Sequence, residues 1–281
     1  MSELLEGIQE ARLPVPGRVF GARAARLDAL AAGHPAAPFL ALLARLARGQ
    51  EAAVREVRCG ARPEAARGAR LEGGPEWRAM LRVVLGAVRG LTLPAPAREA
   101  IARLHAAGEP ELESLAAGVL AGHTVDLATA PFVGAALQAQ FTALAAGLHA
   151  AALPLAQAVC PACGFAPVAA TVGGVDRLRY VTCGLCATEW HVPRVQCAVC
   201  RSTEQISYYE IADAPPGVKA EACGSCHAYL KVFDLQHLTG ADPLADDAAT
   251  LVLDVLLGEQ GWRRVGRNLL APAGEVDAAR A

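Results

Sequence analysis

The first half of the chain carries hydrophobic residues at helical spacing. Between residues 39 and 58, leucines and a valine recur every three or four positions or at multiples of that spacing, and arginines occupy other faces. The same period predicts helices over residues 75–88, 96–106, 109–120 and 131–153, with glycine- and proline-containing turns between several of them. Alternation of period two is absent here. The pattern predicts an all-helical domain over residues 1–155 with its own core.

The pattern changes after residue 156. Alanine becomes rarer, and short β-prone runs at 178–181 and 229–233 follow turn residues. A last helix is predicted from Pro243 to about Glu259, with Asp242 as its N-cap and with Asp246 and Asp247 placed favourably at the positive end of the helix dipole. The residues predicted for its apolar face are Leu244, Leu251, Val252, Val255 and Leu256.

Length and composition narrow the class of protein. The 281 residues are 53% hydrophobic and 19% charged with a formal net charge of −2, which favours two domains and excludes a disordered chain. The acidic start, M-S-E-L-L-E-G, does not resemble a secretory signal, so a cytoplasmic location is expected. The uncharged stretch 131–155 is long enough to span a bilayer. It contains two glutamines and a histidine, however, and this favours a buried helix and no membrane span.

Eight of the nine cysteines form four C-x2-C pairs. In a reducing compartment such pairs are more often metal ligands or redox centres than disulfides. Two pairs brought together place four sulfurs at the corners of a tetrahedron, so eight cysteines suit two four-thiolate metal ions, either zinc or iron. The predicted ligands are Cys160, Cys163, Cys183, Cys186, Cys197, Cys200, Cys223 and Cys226. Cys59 stands apart and is interpreted as a partly buried bystander, with a reactive thiol as the alternative.

An internal repeat suggests which pairs combine. Residues 183–192 align with residues 223–232 without a gap, and a basic residue precedes each segment by four positions. Two copies of one small module, 156–196 and 197–240, are therefore predicted, each closing its own site and followed by a C-terminal helix and tail over 241–281. A cross-braced arrangement stays open, since spacing alone does not forbid it. His191 aligns with Lys231, which argues against a histidine ligand.

The metal can serve several purposes. The simplest role for the cysteine clusters is to bind structural zinc, which holds together modules too small for a hydrophobic core. A second role is to bind a redox-active iron, and a third is to provide reactive thiols. Nucleic-acid binding is disfavoured, because residues 157–240 contain six basic and seven acidic side chains and offer no positive surface to phosphate. No arrangement of residues typical of a catalytic site is present, so the chain is not expected to be an enzyme. The only two lysines, Lys219 and Lys231, flank one cysteine pair.

Three segments resemble a known family. Residues 179–200 (RYVTCGLCATEWHVPRVQCAVC) are similar to the central signature of the formate dehydrogenase accessory protein (FdhE) family. Residues 218–231 (VKAEACGSCHAYLK) resemble its second signature, and residues 245–254 (ADDAATLVLD) resemble its C-terminal helix. The likeness covers about residues 157–268, and all eight paired cysteines agree with it.

The resemblance implies a fold and a function. The fold would be α plus small β, with a helical domain followed by two tandem rubredoxin-like, or zinc-ribbon-like, modules. The function would be a cytoplasmic maturation factor that binds the catalytic subunit of a respiratory formate dehydrogenase before export. The alternative is a redox protein that passes electrons to or from such a client through iron sites. The residues considered for partner contact are Thr188, Glu189, Trp190, His191, Arg194, Lys219 and Lys231.

Overall fold

The structure is a computed structural model. It describes residues 9–60, 71–122, 126–154, 158–212 and 214–271. The first half contains the helices α1 (Pro16–Ala31), α2 (Ala37–Glu56), α3 (Glu76–Ala87), α4 (Ala95–Ala106), α5 (Glu109–Ala121) and α6 (Ala130–Ala146). The helices predicted between residues 39 and 153 are present, and their ends lie within two residues of the prediction except in α6. That helix ends at Ala146, and a short 3-10 helix follows at Ala150–Ala152.

Helix α6 lies at the centre of the helical half. Its residues are buried on nearly every face, with α2, α3 and α5 packed around it. Burial on all sides explains why its sequence has no charged residue and no polar stripe. Over the described residues, no helix is long and apolar enough to cross a membrane. Because its residues are buried, the apolar stretch after residue 130 is a core helix, as the polar residues within it predicted.

The described strands form one sheet. They are β1 (Ala11–Arg12), β2 (Pro167–Gly173), β3 (Leu178–Cys183), β4 (Glu189–His191), β5 (Ile206–Tyr209), β6 (Val218–Cys223), β7 (Ala228–Asp234) and β8 (Arg263–Arg264). Their order is β1-β4-β3-β2-β7-β6-β5, and β8 pairs with β7. Strand β1 corrects the prediction of a purely helical first domain, because this two-residue segment pairs with β4 at the edge of the sheet.

The internal repeat is visible in the sheet. In each copy a cysteine pair precedes two antiparallel strands, and a second cysteine pair precedes a third strand. The copies lie side by side because β2 pairs in parallel with β7. Arg179 of β3 and Glu221 of β6 form a buried ion pair between the copies. One module therefore occurs twice in the chain, and the two copies share one continuous sheet.

The predicted last helix is divided in two. Helix α7 (Pro243–Ala249) and helix α8 (Leu251–Glu259) meet at Thr250, whose φ of −120° and ψ of 30° interrupt the helix. Asp242 is the N-cap of α7, as predicted, and its carboxylate accepts hydrogen bonds from the amides of Leu244 and Ala245 at 3.1 and 2.9 Å. The break rotates α8, so Leu253 and Leu257 are buried.

The same rotation overturns part of the predicted apolar face. Val252, Val255 and Leu256 are exposed on α8. The prediction treated residues 243–259 as one helix with one phase, and it failed because the interruption at Thr250 changes which residues share a face.

Ion pairs join the helical half to α7. Arg23 of α1 binds Asp242 with an N–O distance of 3.0 Å, and Arg26 binds Asp246 at 2.5 Å. Asp246 also accepts a hydrogen bond from the amide of Asp242. Asp246 is therefore more than the dipole partner that the sequence predicted. Its pKa is raised because burial outweighs the stabilising contacts with Arg26.

Candidate metal centres

Four cysteines of the first repeat form a cluster, which we call the first centre. It comprises Cys160, Cys163, Cys183 and Cys186, whose sulfurs all lie within 4.8 Å of one another. The Sγ atoms of Cys160 and Cys186 are 3.5 Å apart, and those of Cys163 and Cys183 are 3.4 Å apart. The two pairs come from separate turns that the β2–β3 hairpin brings together.

The second centre has the same design. It comprises Cys197, Cys200, Cys223 and Cys226, again within 4.8 Å. The Sγ atoms of Cys197 and Cys226 are 3.7 Å apart, and those of Cys200 and Cys223 are 3.6 Å apart. Each repeat therefore closes its own cluster, which excludes the cross-braced arrangement that the spacing had left open.

The sulfur spacing fits a tetrahedral metal ion. Metal–sulfur bonds of about 2.3 Å in a tetrahedron place the sulfurs about 3.8 Å apart, close to the separations of 3.4 to 3.7 Å in the two centres. Neither cluster of the described residues includes His191 or His227. Both clusters can therefore hold a metal ion with four cysteine ligands, and either zinc or iron suits such a set.

Each cysteine pair forms the same tight turn, which we call a knuckle. The residue after the second cysteine has a positive φ in all four: Gly164 (77°), Ala187 (57°), Arg201 (63°) and His227 (56°). In three knuckles the amide of that residue donates to the carbonyl of the first cysteine, at 2.8, 3.1 and 2.8 Å. The left-handed conformation favours glycine, which only the first knuckle supplies. At the other three knuckles a non-glycine residue adopts this conformation, because the turn that directs both sulfurs to one point requires it.

Backbone amides and burial set the electrostatics of the sulfurs. The amides of Leu185 and Cys186 lie 3.4 Å from the Sγ of Cys183. Burial raises the pKa of Cys183 and Cys186 well above the ordinary value for a thiol. Four thiolates in this environment therefore need a cation to offset the cost of burying their charge.

In the second centre the pKa values of two cysteines shift in opposite directions. Burial raises the pKa of Cys226 to about 12. In Cys223 burial acts in the same direction, but backbone and sulfur hydrogen bonds outweigh it and lower the pKa to about 7. Cys200 is exposed at this centre.

Three residues that were considered for partner contact are buried, and the structure corrects that expectation. Thr188 lies inside the first repeat with its hydroxyl 3.1 Å from the Sγ of Cys186, where it can donate to a thiolate. Trp190 packs in the core, as does its counterpart Leu230. Lys231 is only 1% exposed. These side chains are not available at the surface to a partner.

Lys231 belongs to a buried charge network. Its Nζ lies 3.0 Å from a carboxylate oxygen of Asp247 and 2.5 Å from one of Asp254. Arg264 pairs with the same two aspartates, and the hydroxyl of Tyr229 donates to Asp254 at 2.7 Å. Burial opposes ionisation of Asp247, but Arg264 and Lys231 outweigh it and lower its pKa. The sequence predicted only a favourable position for Asp247 at the positive end of the helix dipole.

The remaining contact candidates lie nearer the surface. Glu189 is half-buried, 3.7 Å from Arg12, and burial raises its pKa. His191 packs its ring against Tyr180, and burial, reinforced by the charge of Arg179, lowers its pKa. Arg194 is exposed, and Lys219 pairs at the surface with Glu210.

Cys59 lies outside both centres. It is half-buried and packs against the main hydrophobic core. This placement agrees with its interpretation as a packing residue.

A C-terminal segment that the sequence did not single out covers the first centre. We call residues 265–271 the strap. The guanidinium of Arg267 donates to the carbonyl of Leu120 at 2.9 Å, and Asn268 donates to Asp247 at 2.9 Å. Leu269 and Leu270 are buried in the core. No local pattern marks the strap, because its contacts lie far away in the sequence.

The strap passes so close to one knuckle that only glycine fits there. A Cβ atom at Gly184 would lie 2.7 Å from the carbonyl oxygen of Arg267. We expect Gly184→Ala to lower the free energy of unfolding by about 1–3 kcal/mol, because backbone rather than a flexible side chain must move.

Thermal and chemical denaturation measure the effect of this change. Gly86→Ala is the matched control, since nothing lies within 4 Å of the added methyl group. It is expected to be neutral or to stabilise helix α3 by about 0.5–1 kcal/mol. Equal stability of the two variants would contradict the close approach of the strap.

Models of one family match almost the entire described chain. The model described as "FdhE, N-terminal" matches residues 8–157, "FdhE, central domain" matches 159–194, and "FdhE, C-terminal domain" matches 195–271. The chain belongs to the FdhE family. The first centre falls in the match to the central FdhE domain and the second centre in the match to the C-terminal FdhE domain. The resemblance carried by residues 179–200 is thereby confirmed.

Full-length relatives support the assignment to the FdhE family. An FdhE homolog of Pseudomonas aeruginosa is 38% identical over 282 residues, covering 92% of this chain and 91% of the relative. An FdhE homolog of Rhizobium meliloti is 36% identical over 275 residues, covering 90% of each chain. These relatives are named as FdhE proteins and not as catalytic enzymes.

A solved FdhE structure has the same fold. The crystal structure of the FdhE protein from Pseudomonas aeruginosa superposes with a TM-score of 0.84 at 33% sequence identity. The match covers 95% of this chain and 100% of that one. The mixed helix and sheet architecture described above is therefore that of an FdhE protein.

Proposed function

We propose that this protein is a maturation factor for a respiratory formate dehydrogenase, binding the catalytic subunit in the cytoplasm before export. The observation that carries the proposal is membership of the FdhE family over the described chain, together with two intact four-cysteine clusters. Relatives named as FdhE proteins, and not as enzymes, support a role in binding a client rather than in turning over a substrate.

The eight clustered cysteines would hold two metal ions. Such an ion, whether zinc or iron, supplies positive charge to four buried thiolates and, if it is iron, a one-electron redox centre. The chain's own part is to orient the sulfurs through the knuckles and to donate amides to them, as Leu185 does to Cys183. The modules would be of the rubredoxin-like or zinc-ribbon-like type.

The client is proposed to contact the surface around the two centres. Glu189, His191, Arg194 and Lys219 are the candidate residues that the structure leaves exposed or half-buried. Arg194 is exposed just before the first knuckle of the second centre. Rigid metal-held turns would present such side chains with little loss of conformational freedom on binding.

Co-purification tests the proposed function. We expect the tagged protein to retain the catalytic subunit of a formate dehydrogenase, and deletion of its gene to abolish formate oxidation by the respiratory enzyme. Arg194→Glu should weaken retention by about tenfold, as expected for loss of a contact at the edge of an interface. Arg89→Glu, an exposed position in the helical half, is the charge-matched control. Absence of retention together with intact formate oxidation would refute the proposal.

The exposed edge of the second centre favours electron transfer as a second candidate function. Cys200 is exposed there, and a solvent-near sulfur ligand gives a short path for an electron to a partner. A red protein that bleaches with dithionite supports this candidate. A colourless protein with two zinc ions per chain removes it.

A further inference from the structure

The two centres have the same sulfur geometry but different surroundings. In the first centre Cys160, Cys183 and Cys186 are buried and only Cys163 is half-buried. In the second centre Cys200 is exposed and Cys226 is half-buried. The repeat therefore places equivalent ligands, Cys163 and Cys200, in environments of different accessibility.

The helical half holds the first centre through a buried amide chain. Gln138 of α6 donates to the carbonyl of Gly184, within the knuckle of Cys183 and Cys186, at 2.7 Å. Gln50 of α2 donates to the side-chain oxygen of Gln138 at 3.0 Å, and both glutamines are buried. A knuckle tied in this way cannot open unless the contact between helices and sheet is also broken.

Two further contacts close the first centre. The amide of Leu71, from the helical half, donates to the carbonyl of Ala162 at 2.9 Å, within the other knuckle. The strap passes across Gly184, with the carbonyl of Arg267 against it. Both knuckles of the first centre are therefore held by segments far from them in the sequence.

The second centre is held by contacts within its own repeat and by the two-residue strand β8, whose Arg263 amide donates to the carbonyl of His227 at 2.9 Å. Gln205 packs against Gly224, and Ser225 bonds Ser202 at 3.1 Å, both contacts lying within the second repeat. Arg263 donates to the carbonyl of Cys226 at 3.0 Å through an exposed hydrogen bond. Such solvent-exposed bonds open by local fluctuation without disturbing a core.

We propose that the two centres differ in metal exchange: the second is open to chelators and thiols, whereas the first is closed and clamps the helices to the sheet. The inference rests on the proposed binding of a metal at both centres. It assigns the exchangeable, partner-accessible metal to Cys197, Cys200, Cys223 and Cys226. Gln138 becomes a positioning residue for the first centre.

Metal release from the full-length protein tests the inference. Protein reconstituted with two zinc ions is mixed with the chromogenic chelator 4-(2-pyridylazo)resorcinol. We expect two phases of one equivalent each, the slow one at least about tenfold slower because it requires the helix–sheet contact to open. Release of both equivalents in a single phase would overturn the inference. Failure to bind two ions would instead overturn the metal binding on which it rests.

Matched ligand variants assign the phases. Cys200→Ser should abolish the fast phase and leave the slow one, and Cys163→Ser should do the reverse. Alkylation of the unaltered protein by iodoacetamide, mapped by mass spectrometry, gives a measurement that does not depend on variants folding. Cysteines of the second centre should be modified first. Earlier modification of the first centre would contradict the assignment.

The glutamine contact has its own control on the same helix. Gln138→Leu should accelerate the slow phase by at least about tenfold, since it removes the bond to Gly184, and leave the fast phase unchanged. Gln140→Leu removes an equally buried glutamine whose amide donates to Gly74 and Glu76, away from either centre. It should leave both rates unchanged. Equal effects of the two variants would show that Gln138 has no specific positioning role.

Discussion

Replacing Lys231 with methionine is expected to lower the free energy of unfolding by about 3–5 kcal/mol. The ammonium group is 1% exposed and lies within 3.0 Å of carboxylates of both Asp247 and Asp254. Without it, Arg264 alone faces the buried carboxylate of Asp247 and the half-buried carboxylate of Asp254, so one negative charge is left uncompensated. Urea denaturation followed by circular dichroism measures the loss.

The second lysine of the chain is a matched control. Lys219 is half-buried, with 44% of its side chain exposed, and it pairs at the surface with Glu210. Lys219→Met should cost no more than about 1 kcal/mol, as exposed ion pairs contribute little. A similar cost for both variants would mean that burial of Lys231 is not the source of its effect.

The effect of Lys231→Met should depend on pH. In the unaltered protein the pKa of Asp247 is lowered, so its stabilising contribution is complete above the unfolded pKa of about 3.9 and is lost as pH falls through the lower folded value. In the variant we expect burial to raise the folded pKa above 3.9, so the penalty grows with rising pH. The stability difference between the two proteins should therefore narrow as pH falls from 7 toward 4. A constant difference would contradict the charge argument.

The sequence predicted those parts of the fold that depend on contacts between residues close together in the chain. Helical periodicity placed α2 to α5 within two residues of their observed ends. The spacing within each C-x2-C pair, together with the repeat, predicted both clusters and their pairing. These features depend on residues close in the chain or on duplicated segments, and so they can be read without tertiary information.

Alignment of the repeats predicted that His191 is not a metal ligand, which the clusters confirm, but it could not predict how the surroundings of aligned residues differ between the two copies. His191 and Lys231 align, but β4 is a short strand beside the edge strand β1, whereas β7 lies between β2 and β6 with α7 packed on it. Lys231 is therefore buried among aspartates, and His191 is only half-buried. Position in the sheet, and not position in the repeat, determined the role of the residue.

Long-range polar contacts were the second part that the sequence could not predict. Gln138 bonds Gly184 across 46 residues, and Arg267 bonds Leu120 across 147. The buried glutamines of α6 were a usable signal, because a polar side chain in a buried helix needs a partner. The sequence identified the helix as buried but gave no means to identify that partner.

Removal of both metal ions is expected to have the largest effect on the structure. Structural zinc contributes an apparent free energy of about 10–16 kcal/mol to the folding of isolated zinc-finger peptides, which exceeds the whole stability of many domains. We expect chelation under reducing conditions to abolish the near-ultraviolet circular dichroism of the sheet, where Trp190 and Tyr229 are buried. Most of the far-ultraviolet helical signal should remain, because α2, α3 and α6 pack on one another.

Acidification should have the same effect as chelation. When the metal leaves, the thiolates that bound it take up protons. Because the pKa of a thiol in the unfolded chain is about 8.5, the metal-bound protein loses stability as pH falls below that value. Burial raises the pKa of Cys183 and Cys186 in the metal-free state, and this adds to the driving force for protonation after release. Metal content after dialysis at a series of pH values should therefore fall together with the near-ultraviolet signal.

Cysteine variants separate loss of metal from loss of a thiol. Cys183→Ser removes a buried ligand of the first centre and should abolish the part of the near-ultraviolet signal that comes from Trp190 in the first repeat, since the knuckle that meets the helices and the strap is then unsupported. The part that comes from Tyr229 in the second repeat should remain. Cys59→Ser removes the half-buried cysteine outside both centres and should change stability by no more than about 1 kcal/mol. If the metal-free protein kept its near-ultraviolet spectrum, packing alone would hold the sheet. The cysteine clusters would then serve the client or electron transfer without stabilising the fold.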